Sequence, residues 1–312
     1  MKQASPHRAL ESVSIVSVLY NSTSYVNDHI NQFMDAMGAM DYTSTNLHLY
    51  LIDNSPKDTF RKRIATLRKQ VPFPVTYVWT GKNMGFSGGT NYGIRISDGT
   101  YILVVNPDTQ LAPDALHHLV ASMKKDPKVG MVEGKQMPHE HPKEYDKKTL
   151  ETSWCSGACV LIRRTALDQT GLFDDRFFMY CEDVDLSWRM WQMGWKCLHQ
   201  PKATILHHTG KDAKQKQGSM VEFLFGIRNG HFMRIIYGTY RERLWYFLSV
   251  MWVIFLSKHH SKQQKKIALL AYLSAYKHIF YLQKRRKFRK RMPQNIHCRF
   301  FGWEYAQHRN TL

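Results

Sequence analysis

Residues 101–108 read Tyr101-Ile102-Leu103-Val104-Val105-Asn106-Pro107-Asp108. Five β-rich apolar residues in a row predict a buried strand, and the proline after them stiffens a turn that sets a carboxylate just beyond the strand's end. The same grammar recurs upstream. The run 13–19 ends in Tyr20-Asn21, 47–52 in Asp53-Asn54-Ser55, and 75–79 in Gly81-Lys82-Asn83. Segments long enough for crossover helices, 25–40 and 60–70, separate these strands, with Pro72 and Pro74 punctuating the second. Strands alternating with helical segments predict βαβ units and an α/β fold with a mostly parallel central sheet. In such sheets the ligand lies beyond the carboxyl ends of the strands, so four polar ends meeting at one crevice would build a polar site.

Downstream, 134–152 is rich in Pro, His, Lys and Glu without periodicity and reads as a mobile excursion. Patterning resumes at Trp154-Cys155-Ser156-Gly157-Ala158-Cys159, followed by a strand over 160–163, a short helix over 183–193 with acids at its start, and a strand over 203–206. Five cysteines, Cys155, Cys159, Cys181, Cys197 and Cys298, contain no CxxC pair and follow no secretory leader. They predict neither a disulfide framework nor a zinc ribbon, and a reducing cytoplasm is the simplest compartment.

Charge divides the 312 residues into two regions. Residues 1–210 hold 23 Lys and Arg against 21 Asp and Glu, while 211–312 hold 21 against 4, so nearly all of the net +19 belongs to the tail. The tail also carries 244–256, apolar except for Ser249 and too short to span a bilayer, and a helical pattern placing Leu269, Tyr272, Leu273, Tyr276, Ile279 and Phe280 on one face. The run Lys284-Arg285-Arg286-Lys287-Phe288-Arg289-Lys290-Arg291 follows. Apolar, aromatic helices ending in a polybasic cluster suit an anionic membrane surface, which attracts each basic residue by roughly 1 kcal/mol. The alternative is packing of these helices on the rest of the chain or on a second subunit. The expected division is a catalytic domain over 1–240 and a helical, basic, membrane-associating extension over 241–312.

Six motifs in order carry a resemblance. They are Ile52-Asp53-Asn54-Ser55, the stretch 83–91 (Asn83-Met84-Gly85-Phe86-Ser87-Gly88-Gly89-Thr90-Asn91), Asn106-Pro107-Asp108, Trp154 with Ser156-Gly157-Ala158, the stretch 178–186 containing Glu182-Asp183-Val184-Asp185, and His207-His208. Together they resemble the inverting family 2 glycosyltransferases, nearest to the bacterial rhamnosyltransferase-like branch. The resemblance covers about 13–240. It implies the GT-A fold, a dTDP- or UDP-sugar donor, Mg2+ or Mn2+, and a polyprenyl-diphosphate-linked saccharide acceptor in cell-wall, capsule or O-antigen synthesis. The cysteine usage and the apolar, basic tail set the expected location in the cytoplasm, peripheral on the inner face of the cell membrane.

Residue chemistry and resemblance together give each motif an expected role. Asp53, following a hydrophobic strand, can accept the imide N–H of a pyrimidine or simply cap the next helix. Gly85, Gly88 and Gly89 permit close backbone approach, and N–H groups at the next helix start would attract phosphate. Asn83 and Asn91 orient that loop or touch the donor. Asp108 would hold a divalent ion that bridges the donor phosphates, with Asn106 standing where the family commonly has the first Asp of Asp-x-Asp. His207 is the expected further ligand and His208 its substitute. Asp183 is the expected general base, with Glu182 beside it binding the acceptor and Asp185 paired with Arg189 one turn on. Trp154, Gly157 and Ala158 would line the acceptor floor or merely pack in the core. Arg228 would hold a diphosphate. Two other readings remain at this level: a nucleic-acid-binding protein acting through the tail, which leaves the acidic motif unexplained, and a non-catalytic sugar-nucleotide-binding subunit of an assembly complex. Oligomeric state, a homo-oligomer included, is open.

Overall fold

The computed structural model describes residues 12–21, 47–69, 73–138, 140, 143, 145–207, 220–290 and 292–293. The expected helix over 25–40, together with His208 and Cys298, falls outside them. The strands are β1 (Val13–Leu19), β2 (Leu47–Asp53), β3 (Val75–Trp79), β4 (Tyr101–Val105), β5 (Thr109–Leu111), β6 (Val129–Met137), β7 (Cys159–Arg163) and β8 (Lys196–His207). They form one sheet in the order β3-β2-β1-β4-β7-β6-β8-β5. The β3-β2-β1-β4 half is parallel throughout, and β6 runs parallel to β8; β7 is antiparallel to both β4 and β6, and β5 is antiparallel to β8. Parallel pairing prevails as the strand runs predicted.

These strands are apolar because both sides of the sheet are covered. Ile15, Leu49, Leu51, Leu103 and Leu119 belong to one buried cluster, while Val16, Ile52, Ile102, Val104 and Ile162 belong to the other. Helices α1 (Arg61–Leu67), α2 (Gly85–Ile96), α3 (Ala115–Lys125), α4 (Arg164–Thr170) and α5 (Glu182–Gln192) supply the covering layers. The expected 60–70 and 183–193 helices are α1 and α5, shifted by a residue or more at their ends.

The excursion expected over 134–152 is corrected at both ends. Residues 134–137 complete β6, where Lys135, Gln136 and Met137 pair with Thr204, Ile205 and Leu206 of β8. Tyr145 and Glu151 form bridges with Thr152 and Leu198. Glycine and charge disguised the strand. A Cβ on Gly134 would lie 2.5 Å from the Ala203 carbonyl oxygen, so glycine is needed there, and Glu133 is a buried carboxylate that breaks the apolar run.

Four further helices follow: α6 (Met220–Tyr237), α7 (Tyr240–Met251), α8 (Lys262–Ala275) and α9 (Ile279–Phe288). Capping boxes start α7, with Thr239 and Glu242, and α8, with Ser261 and Gln264. The leucines of the expected apolar face are exposed, whereas Tyr272 of that face is buried. Ala268, Ala271, Tyr272 and Ala275 of α8 point inward, and Leu269, Leu270, Leu273 and Tyr276 are exposed. Small residues allow α8 to approach α6 closely, and a 3₁₀ turn at Tyr276–His278 breaks the helical phase before Phe280. The residues beyond 240 pack on those before it: Ala275 and Leu282 share a cluster with Phe177, Trp188, Phe232 and Ile236.

Candidate active site

At the end of β2, Asp53 is fully buried and both carboxylate oxygens are engaged. Oδ1 accepts from the Ser55 N–H at 2.8 Å and Oδ2 from the Tyr77 hydroxyl at 2.7 Å. Burial, together with hydrogen bonds to Asp53 and Asp58, drives the Tyr77 phenol pKa far up and keeps it a neutral donor. Asn54 donates to the Gly85 carbonyl at 2.9 Å, and Asn83 accepts from the Gly85 N–H at 2.9 Å. Gly85 has φ +70°, and a Cβ there would sit 2.3 Å from the Phe178 carbonyl oxygen, so this turn requires glycine. The expectation of free N–H groups for phosphate is corrected at two positions, since Gly85 serves Asn83 and Ser87 donates to the Phe178 carbonyl at 3.1 Å. Asn91 is also internal: its amide bonds Phe173 through both atoms and Asp175 through Nδ2, tying α2 to the segment before α5.

The β4 turn meets β8 through the register Thr109↔His207. That pairing brings His207 Nε2 to 3.4 Å from Asp108 Oδ1, while Nδ1 lies 3.1 Å from Gln136 Oε1. With Gln136 accepting from Nδ1, the Nε2 lone pair faces a carboxylate oxygen. Two acceptors so close call for a proton or a cation between them, and imidazole with carboxylate, the imidazole oriented from behind by Gln136, is a donor set suited to a divalent ion. Among the described residues no cluster of three or more His, Cys, Asp or Glu forms a metal cage. A cation held here would need further oxygen ligands beyond these two side chains.

Two adjacent residues join this pair to the acidic helix. The Ala158 carbonyl accepts from the Asn106 N–H at 2.9 Å and the Thr109 hydroxyl at 3.3 Å. The Gly157 N–H donates to Asp183 Oδ2 at 2.9 Å. Asp108, His207 and Asp183 therefore belong to one bonded assembly at the same end of the sheet.

The acids at the start of α5 differ in environment. Asp185 is fully buried between Arg189 (3.0 Å), Arg285 (2.8 Å) and the Tyr237 hydroxyl (2.9 Å); burial would raise its pKa, but the two guanidinium groups outweigh that and hold it below the usual range. The expected Asp185–Arg189 pair is present, and Arg285 was not foreseen. Burial raises Asp183, against stabilising N–H bonds from Gly157 and Val184 and the charge of Lys143. Glu182 is pushed up further by burial and by Asp183, and its Oε2 has no hydrogen-bond partner among the described residues. Burial and the neighbouring carboxylate thus favour the protonated form of Glu182, while the two N–H bonds and the Lys143 charge favour the ionised form of Asp183.

Backbone strain lies immediately upstream. Phe178, Tyr180 and Cys181 adopt φ of 63°, 69° and 69°, each costing about 1–3 kcal/mol in a non-glycine residue. Asn229 on α6 pins that loop, donating to the carbonyls of Phe177, Met179 and Tyr180 at 2.8–2.9 Å. The diphosphate role expected of Arg228 meets a competing use. Its guanidinium bonds the Arg176 and Phe177 carbonyls and stacks over Phe225, and burial lowers its pKa to about 10. Trp154 is corrected in the same way: the indole is 4% exposed and carries the Lys143 ammonium 4.0 Å from its ring centroid, so that face is not open to a sugar. Gly157 and Ala158 are buried and act through their backbone.

The family model for glycosyl transferase family 2 matches residues 14–184. The chain belongs to glycosyl transferase family 2. Among curated relatives, this transferase is 27% identical over 249 residues to the N-acetylglucosaminyl-diphospho-decaprenol L-rhamnosyltransferase of Mycobacterium tuberculosis, covering 64% of this chain and 78% of the relative. It is 23% identical over 217 residues to the poly-beta-1,6-N-acetyl-D-glucosamine synthase of Staphylococcus epidermidis, covering 64% of this chain and half of the synthase. Among solved structures, the transferase superposes on a mannosyltransferase of Pyrobaculum calidifontis in complex with GDP-Man and Mn2+, with a TM-score of 0.59 at 15% identity over 96% and 87% of the two chains. It also superposes on GalNAc-T7 with UDP, GalNAc and Mn2+, with a TM-score of 0.56 at 14% identity over 87% and 57%. At such identities the likeness establishes the GT-A fold, and the enzyme class follows from the family.

Proposed function

We propose that this glycosyltransferase is an inverting enzyme that moves a sugar, L-rhamnose as the leading candidate, from a dTDP- or UDP-sugar to a polyprenyl-diphosphate-linked saccharide during cell-surface polysaccharide synthesis. The observation that carries the reading is the continuous link from Asp183 through Gly157 and Ala158 to the Asp108–His207 pair. A base for an acceptor hydroxyl and a cation-binding pair for a diphosphate are built on two consecutive residues, which suits a single displacement at the carbon between them. The mycobacterial relative's acceptor class supports the lipid-linked assignment.

In this mechanism Asp183, ionised and fixed by the Gly157 and Val184 N–H groups, takes the proton of the attacking hydroxyl. Glu182, protonated beside it, donates a hydrogen bond that orients the acceptor. Asp53 and Tyr77 bound the base-binding end, and Asp108 with His207 would hold Mg2+ or Mn2+. When bound, that ion neutralises charge developing on the leaving diphosphate.

The extension supports a peripheral place on the inner face of the membrane. Trp245, Phe255, Leu256 and Phe280 are each more than two-thirds exposed, and Lys258, Lys262, Lys284, Lys287 and Lys290 on the same helices and their connections are also exposed. Leucine and aromatic side chains facing outward while alanines pack inward fit a lipid boundary better than water. Among the described residues no helix is long and apolar enough to cross a membrane. Incubation of the purified enzyme with dTDP-rhamnose, Mn2+ and polyprenyl-diphosphate-GlcNAc tests the reading. Transfer is expected, and silence with dTDP-rhamnose and with a panel of UDP-hexoses would overturn it.

A further inference from the structure

A buried charged network lies behind the acceptor floor, and neither the family motifs nor the proposed chemistry accounts for it. Glu133, in the middle of β6, and Lys143 form an ion pair whose side chains are 1% and 4% exposed. Glu133 Oε1 also lies 3.1 Å from His199 Nδ1 on β8, and His199 Nε2 is 2.9 Å from Glu140. Further contacts of Glu133 and Lys143 go to the 154–158 loop. Glu133 Oε2 accepts from the Ser156 N–H at 2.7 Å. Lys143 donates to the Trp154 carbonyl at 3.0 Å while its ammonium lies over the Trp154 ring. The next N–H in that loop, from Gly157, is the one bonded to Asp183.

We propose that Lys143 is a positioning residue for transfer: with Glu133 it clamps the 154–158 loop, which fixes the Asp183 carboxylate, and it supplies the positive charge that favours the ionised base. The proposal rests on Asp183 acting as base. A buried lysine paired with a buried carboxylate gains little net stability over apolar residues of the same size, because both charges must be desolvated, so the pair's value lies in what it orients. Its surroundings support a role at Asp183. The groups facing that carboxylate from its own stretch are Cys181, Glu182 and Asp185, and Asp185 is already neutralised by Arg189 and Arg285. Lys143 is the cation whose charge acts on Asp183 from another segment. Glu133 keeps its charge even though burial disfavours it, because Lys143 and His199 outweigh the desolvation.

The test compares wild type with Lys143→Met and with the charge-balanced double variant Glu133→Gln/Lys143→Met, which leaves no unpaired buried carboxylate and so protects against simple misfolding. Burial raises the Asp183 pKa and Lys143 opposes the rise. Removing Lys143 should therefore move the acid limb of the kcat–pH profile to higher pH by about half a unit or more, roughly a threefold change in proton affinity. Donor KM should change less than twofold. The double variant should recover the unfolding midpoint but keep the displaced limb, whereas a limb that stays at the wild-type pH in the double variant would overturn the electrostatic role. Hydrogen exchange needs no substrate and reads the clamp directly. The Gly157 and Ala158 amides should exchange at least tenfold faster in both variants, and unchanged protection would overturn the positioning role. Wild-type enzyme silent with every donor would refute the transferase reading, while the exchange result would still decide the clamp.

Discussion

Replacing Arg285 with Met removes a cation that reaches from α9 into the catalytic region. Its Nη2 lies 2.8 Å from Asp185 Oδ1 and its Nη1 lies 3.0 Å from Asp174 Oδ2, with the side chain only 15% exposed. Breaking a buried ion pair from one side costs about 3–5 kcal/mol because a desolvated charge is left behind. Asp185 would keep Arg189 and Tyr237, and Asp174 would keep Tyr281 and Arg176, so the low end applies: about 3 kcal/mol, a large share of a typical domain's stability of about 5–15 kcal/mol. The pH dependence follows from the sign of the Asp185 shift. Its folded pKa is depressed, so its stabilisation is present above the unfolded carboxyl pKa and is lost as pH falls through the folded one. In the variant the folded pKa rises, because one of the two guanidinium groups that hold it down is gone. The stability gap between wild type and variant should therefore be full at pH 7.5 and smaller at pH 4.5, as the variant's carboxyl takes up its proton. Urea unfolding at the two pH values measures the gap. A loss below about 1 kcal/mol at pH 7.5, or a loss equal at both, would refute the electrostatic account and leave only packing.

Asp183→Asn should lower kcat by at least about 10²-fold while donor affinity changes little, because the amide cannot take a proton and its single acceptor oxygen keeps only one of the two N–H bonds from Gly157 and Val184; normal turnover would remove Asp183 from the base role. Asp108→Ala should abolish the Mn2+-dependent gain in nucleoside-diphosphate affinity measured by calorimetry, with metal-free affinity unchanged. Asn229→Ala should free the strained loop and cost about 2 kcal/mol, two donated N–H groups shared among three carbonyls at about 1 kcal/mol per bond, and kcat should fall further than the unfolded fraction explains. Trp245→Ser/Phe255→Ser should reduce flotation with anionic vesicles at unchanged thermal stability, since both side chains are exposed. Deleting 241–312, by contrast, should yield insoluble protein because Leu282, Ala275 and Arg285 cover Phe177, Trp188 and Asp185.

The residues alone determined the parallel half of the sheet, because a strand buried on both faces must be apolar along its whole length and its polar end must then mark the crevice. Val13–Leu19 and Tyr101–Val105 therefore stand where their composition put them, and the partly buried edge strand Val75–Trp79 stands where its β-rich residues did. The spacing Asp185-x-x-x-Arg189 fixed a helical ion pair for the same reason of local geometry. Local pattern could not reveal contacts made at long sequence separation. Glu133 and Lys143 look like solvated charges in sequence, and only the β6–β8 pairing and the segment through Lys143 bury them together beneath Trp154. Arg285 sits in a run that reads as membrane-facing, yet the packing of α9 turns it onto Asp185, 100 residues away. Arg228 reads as diphosphate-binding, and the fold spends it, together with Asn229, on the strained loop. Periodicity reports which side of an element is apolar. It does not report which neighbour will cover that side, and in α8 the alanines rather than the leucines went inward because close helix approach rewards small side chains.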